Sequence, residues 1–225
     1  MPTVSVIMTV YNGERYLRAA IDSVLAQNGP IEFIVVNDGS QDGSEAIIQQ
    51  YGTKIQYFFQ PNQGQPTAQN QGIRLAKGRY ITFLDADDLH HAEKTPMQVA
   101  YLEAHPEVDM VFGQVEQFIS PELPLETKGK WHCPPGSAPG YLAAAGLFRR
   151  ECFERVGLFN EKQRIGLFIE WYMRSCDGGL KSAVTADPVL KRRIHENNMG
   201  IREKNARFEY LQIVKSALAR RSHAK

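Results

Sequence analysis

The chain has 225 residues, 43% of them hydrophobic, and a formal net charge of +1; this supports one large domain with a sizeable core and excludes a global electrostatic case for nucleic-acid binding. Its three cysteines have no C-x-x-C spacing, which argues against a disulfide framework or a zinc knuckle. No basic leader precedes a cleavage site and no apolar run is long enough to span a bilayer, so the sequence predicts a soluble, cytoplasmic protein.

Val4 to Val10 is β-branched and apolar, the pattern of a strand covered on both faces. After Tyr11-Asn12-Gly13, apolar residues at Tyr16, Leu17, Ala20, Ile21, Val24 and Leu25 predict a helix from Glu14 to Gln27. Ile31 to Val36 reads as a second strand, ending in Asn37-Asp38-Gly39-Ser40, and Asp42 or Ser44 is placed to cap a helix from Glu45 to Tyr51. Lys54 to Gln60 is a third strand, and Gln65 to Lys77 a helix closed by Gly78. Tyr80 to Leu84 is a fourth strand, followed at once by Asp85, Asp87 and Asp88. Strands alternating with helices imply βαβ units and a parallel, right-handed sheet.

A helix is expected from Thr95 to His105 and a strand from Val108 to Phe118. Ser120 to Gly140, proline-rich and without periodicity, reads as a connection or an active-site loop, and contains Trp131 and His132. The next helix is expected to begin near Leu167, with a short strand at Lys181 to Val184 after it. From Arg202 a helical pattern carries Phe208, Leu211, Ile213, Val214 and Leu218 into a basic end. Such a tail can touch an anionic membrane surface or pack on the domain with its positive charge at the helix C-terminus.

Three loops therefore leave strand ends on one sheet edge, carrying Thr9 and Tyr11, then Asn37 and Asp38, then the acids. Ligands of open α/β sheets bind beyond the carboxyl ends of the strands, and these groups suit a nucleotide. Asp38 can accept from a base N–H, Asp85 from ribose hydroxyls, and Tyr11 can pack on the base. Two aspartates one residue apart can also offer hard oxygens to one divalent ion such as Mg2+ or Mn2+. A nicotinamide oxidoreductase is disfavoured, because no G-x-G-x-x-G follows the first strand.

At these residues the chain resembles glycosyltransferase family 2, whose nucleotide-sugar-binding fold is called GT-A. The resemblance rests on Val4 to Gly13, Tyr16-Leu17, Ile21 to Gln27, Ile34 to Ser40, Asn62-Gln63-Gly64, Asn70-Gln71-Gly72, Gly78 to Ile81 and Phe83 to Asp88. It implies a mainly parallel Rossmann-like sheet flanked by helices, with a smaller acceptor-side region and a C-terminal helix. Residues 1–118 would form the nucleotide-sugar-binding half, 119–140 a loop, 141–200 the acceptor half of the same domain, and 201–225 the helix. It also implies inverting, metal-dependent transfer from a nucleoside diphosphate sugar, a UDP-sugar first among them. The acceptor would be a hydroxyl on a glycan, a lipid-linked molecule or another compound, in glycan or cell-surface polysaccharide synthesis.

In that resemblance Thr9, Tyr11, Asp38, Asp85 and Ala86 meet the nucleotide, and Asp87 the Mn2+ or Mg2+. Val189 to Met199 is similar to the family's Arg-x-His-x-x-Asn element, which implies His195 at the metal or diphosphate and Arg192 or Arg193 at phosphate oxygens. Gln69 departs from the Arg that often precedes the Asn found here as Asn70, leaving Arg74 or Lys77 to compensate. Gly140 to Glu161 resembles the acceptor-side segment, after which an acidic residue is the general base; Glu170 is the candidate. Here again the chain departs, with Leu167-Phe168-Ile169 before a single Glu where the family often has two acids. Glu170 can instead pair with Arg174 four residues on. The alternative to an enzyme is a non-catalytic nucleotide-sugar-binding module.

Overall fold

The computed structural model describes residues 3–129, 131, 133–198 and 207–223. Its first half runs β1 (Val4–Val10), α1 (Glu14–Leu25), β2 (Ile31–Asp38), α2 (Ser44–Gln49), β3 (Gln56–Gln60), α3 (Gln65–Leu75) and β4 (Tyr80–Asp85). The second half adds β5 (Leu89–His90), α4 (Lys94–Ala104), β6 (Met110–Ile119), α5 (Leu125–Lys128), β7 (Ser137–Pro139) and β8 (Gly146–Arg149). It closes with α6 (Glu151–Val156), α7 (Leu167–Asp177), β9 (Ser182–Ile194) and α8 (Arg207–His223).

Among the described residues the strands form one sheet in the order β3-β2-β1-β4-β8-β6-β9-β5, with β7 beside β6. The long ladders, β1 with β2 and β4, β2 with β3, and β6 with β9, are parallel. The antiparallel ones involving β5, β7 and β8 run over two or three residue pairs each.

Side chains alternate across the sheet. Val4, Val6, Met8 and Val10 of β1 pack with Leu17, Ala20, Ile21 and Val24 of α1, while Ile7 joins α3 on the other face. There Gly72 lets the helix approach: a Cβ would come within 2.3 Å of Ile7 Cγ2. The same face holds an aromatic core of Phe83, Phe112, Phe148, Phe153, Phe159, Phe168 and Trp171. Trp171 of α7 stacks on Phe153 of α6 at 4.7 Å and donates its indole N–H to Gly157 O at 2.8 Å.

Asp42 serves two helices, accepting from Ser44 N–H of α2 with one oxygen and from Glu14 N–H of α1 with the other, both at 3.0 Å. Lys54 lies in a 3-10 turn ahead of β3. β9 runs far past the expected Val184, on to Ile194, with register shifts opposite Pro188. β8 is a strand that Gly140 to Arg149 did not announce, and the proline-rich segment includes α5 and β7. His132, Met199 and the expected helix start at Arg202 lie outside the described residues.

α8 buries Ile213 and Ala217, and leaves Leu211, Val214 and Leu218 exposed. Arg220 and Arg221 both donate to Asp177 at the end of α7, at 2.9 and 2.8 Å, so this part of the basic end is engaged by a carboxylate. No helix of the described residues is long and apolar enough to cross a membrane.

Candidate active site

Because β1, β2 and β4 are parallel and in register, with Thr9 beside both Val36 and Asp85, their carboxyl ends open on one edge. Tyr11 stands at that edge, 52% exposed. The turn behind it is pinned by Gln41 N–H donating to Asn12 Oδ1 at 2.8 Å. Ala86 lies half-buried under the same turn, beside Gly13. Asp38 is nearly enclosed: Oδ1 accepts from Gln60 Nε2 at 2.8 Å and Gln63 N–H at 2.9 Å, and Oδ2 from Gly64 N–H at 2.9 Å. A carboxylate has about four lone-pair sites, so this aspartate closes the loop after β3 and keeps roughly one direction for a ligand.

The three acids after β4 differ in their surroundings. Asp85 Oδ1 accepts from Gln65 Nε2 at 3.2 Å; burial, then the charge of Asp87, push its pKa up to about 6, against the pull of Arg192. Asp88 is buried and accepts from Arg193 N–H at 2.8 Å. Burial and the charges of Asp87 and Asp85 hold its pKa well above the usual range. Asp87, half-buried, receives His195 Nε2 on Oδ2 at 2.8 Å and Asn198 Nδ2 at 3.2 Å.

A raised carboxyl pKa means that the folded state holds its proton more tightly than the unfolded chain. That contribution to stability is complete below the ordinary value of 3.8 and is lost as pH rises through about 6. Asp85→Asn is therefore expected to raise Tm by about 2–4 °C at pH 7–8 without divalent cations. The gain should shrink toward pH 4 in thermal melts across that range; a gain independent of pH would remove Asp85 as its source.

His195 is buried directly after β9, with its backbone N–H on Asn198 Oδ1 at 2.7 Å and the Tyr16 ring 4.7 Å from its own. The two residues expected at the metal, Asp87 and His195, are thus in contact. Their donor atoms, 2.8 Å apart, match the spacing of about 3 Å between neighbouring ligand positions on a small octahedral ion. A carboxylate oxygen with an imidazole nitrogen suits Mn2+. Among the described residues no cluster of three or more His, Cys, Asp or Glu could hold an ion alone. The pair therefore fits an ion whose remaining ligands are waters and phosphate oxygens, and such an ion would replace the Asp87–His195 hydrogen bond.

Two of the arginines expected at phosphate, Arg74 and Arg193, are engaged by other groups. Arg74 lies nine residues after Gln65 on α3, about 13 Å along the helix, and reaches Glu161 at 3.5 Å on the exposed surface. Gln65, at the other end of the helix, is the residue that touches Asp85. Arg193 is buried, its Nε on Asp87 O at 2.8 Å and its guanidinium between the rings of Tyr16 and Phe118. It is Arg192, half-buried, whose charge bears on Asp85 and Asp88. The structure also brings in Gln65, which sequence reasoning missed. Gln69, one turn further along α3, is 4% exposed, and its Oε1 is buried with no donor among the described residues.

Glu170 lies one turn inside α7. Its Oε1 accepts from Arg174 Nε at 2.8 Å, and the same guanidinium donates to Val156 O and Leu158 O, tying α7 to the end of α6. Oε2 is enclosed and takes no hydrogen bond among the described residues. Leu167 and Phe168, ahead of it, are buried in the aromatic core.

The sequence profile described as Glycosyl transferase family 2 matches residues 5–157. An uncharacterized glycosyltransferase of Rickettsia felis is 44% identical over 176 residues, which cover 71% of this chain and 29% of that protein. Across five Rickettsia relatives the chain spans between 15% and 32% of their length. Among solved structures, S. aureus TarS residues 1–349 in complex with UDP-GlcNAc superposes with a TM-score of 0.70 at 20% identity, over 88% of this chain and 60% of that one. The mannosyltransferase PcManGT of Pyrobaculum calidifontis, in complex with GDP-Man and Mn2+, gives 0.65 at 20% identity, over 88% and 58%. The mixed α/β fold is that of these proteins.

Proposed function

The chain belongs to glycosyl transferase family 2, and from that membership we propose that it transfers a sugar from a nucleoside diphosphate sugar to an acceptor hydroxyl, with inversion and with a divalent ion. The observation that carries this reading is the meeting of Asp87 and His195 at the carboxyl edge of the parallel strands, 2.8 Å apart, in a fold shared with proteins that bind UDP-GlcNAc and GDP-Man with Mn2+.

In this reading Asp87 Oδ2 and His195 Nε2 hold the Mn2+ or Mg2+, and the ion, when bound, stabilises charge on the leaving diphosphate. Thr9, Tyr11, Asp85 and Ala86 line the nucleotide, with Asp85 at the ribose and Tyr11 against the base. Asp38 fixes the loop beneath the base and offers its last lone pair. Of the two arginines expected at phosphate oxygens beside His195, Arg192 is the one at the diphosphate, where a guanidinium can make charge-assisted bonds. The melting temperature of the chain with UDP-, GDP- and TDP-linked sugars, with and without Mn2+, followed by turnover of whichever binds, tests it, because a ligand of the native state raises Tm. No stabilisation by any donor with Mn2+ would sink it.

An acceptor hydroxyl needs a base, and Glu170 keeps one oxygen, Oε2, that takes no hydrogen bond among the described residues and so remains available to accept a proton. A second reading, donor binding without transfer, is favoured by a different fact: Oε1 is held by Arg174 and the start of α7 is apolar. Glu170→Gln separates the two. Glutamine still accepts from Arg174, so the mutant should fold and bind donor as before. If Glu170 is the base, turnover falls about 10^2 to 10^4-fold. A wild-type chain that saturates with donor but shows neither transfer nor hydrolysis supports the second reading.

A further inference from the structure

Arg193 is a buried cation whose guanidinium, among the described residues, donates to no carboxylate, yet its hydrogen bonds and ring contacts reach several of the groups that support the Asp87–His195 pair. Its Nε donates to Asp87 O at 2.8 Å and its Nη1 to Ser120 Oγ at 3.3 Å. Its backbone N–H holds Asp88 Oδ1 at 2.8 Å, and its carbonyl accepts from Asn198 Nδ2 at 3.2 Å, the amide that also reaches Asp87 Oδ2. The guanidinium is 4.6 Å from the Tyr16 ring centroid and 4.7 Å from that of Phe118, two faces that stabilise a cation withdrawn from water. Tyr16 in turn lies against the His195 ring.

We propose that Arg193 is the positioning residue of the ion site: held between Tyr16 and Phe118, it locks the acidic turn after β4 to the turn after β9, so that Asp87 Oδ2 and His195 Nε2 meet. This rests on the ion-binding reading given above. A planar guanidinium can stack on both rings while donating in its plane. An ammonium cannot do both, so lysine should not replace it.

The test is Mn2+ affinity, read by electron paramagnetic resonance with UDP present, well below each variant's Tm. Arg193→Met is expected to weaken Mn2+ binding at least tenfold and Arg193→Lys nearly as much. Phe118→Leu removes one face of the stack without touching Asp87 or His195, should fold even if the arginine variants do not, and should weaken binding about threefold. Arg149→Met is the structural control. That arginine caps the carbonyls of Leu102, His105 and Val108 away from the acids, so its loss should lower Tm and leave Mn2+ affinity unchanged.

Arg193 and Phe118 variants with wild-type affinity, while Asp87→Asn has lost it, would overturn the positioning role and leave the ion site standing. Rescue by lysine, or an equal loss in Arg149→Met, would likewise reduce Arg193 to general stability. A wild-type chain that takes up no Mn2+ with UDP would overturn both.

Discussion

Asp87→Asn should lower sugar transfer by about 10^2 to 10^3-fold, the scale of losing one group that stabilises developing charge, while the fold becomes no less stable. The two effects have one cause. Asp87 stands beside two other carboxylates whose pKa values its charge raises, and its Oδ2 is the acceptor shared by His195 and Asn198. Asparagine keeps the size and one accepting oxygen, removes the repulsion, and removes the charge an ion would need. Lost activity with an equal or higher Tm is the signature of a site kept at some expense of stability. Transfer assays beside thermal melts measure both, and unchanged turnover in the mutant would show that Asp87 carries no ion in the reaction.

Trp171→Ala should have the largest effect on stability, about 3–5 kcal/mol, read as a lower urea midpoint. The indole is fully buried, stacks on Phe153, meets Phe148 edge-on at 5.7 Å, and spends its N–H on Gly157 O. Removing it opens a cavity where α6, α7 and the sheet join, and leaves that carbonyl without its donor. Trp171→Phe should recover most of the loss, since it keeps the stack and forfeits the hydrogen bond. A midpoint unchanged in Trp171→Ala would mean that the aromatic layer repacks around the gap.

The first ninety residues were legible because both signals there are local. Strands covered on both faces must be apolar throughout, as Val4 to Val10 and Ile31 to Val36 are, and acids at a strand's end are visible as Asp85, Asp87 and Asp88. The arginines misled because their neighbours are distant in sequence. Arg193 looks like a phosphate ligand until Tyr16 and Phe118 are found against its guanidinium, and Arg74 does so until Glu161 is found beside it. β9 was foreshortened because Asp187 and Pro188, soon after Val184, read as the end of a strand, whereas the ladder passes them with a register shift. Gln65 gave no warning, since an amide at the start of a helix is an ordinary residue until Asp85 is found beside it.

The course of β6 bears on how this protein could be taken apart. Its first segment lies between β8 and β9, and further along β9 remains on one side while β7 pairs from another. Every one of those neighbours comes from beyond residue 119. Residues 1–119 are therefore no transplantable cassette: severed at the proline-rich stretch, they would keep the three acids but lose the histidine opposite them, and would carry a raw, sticky margin down one flank.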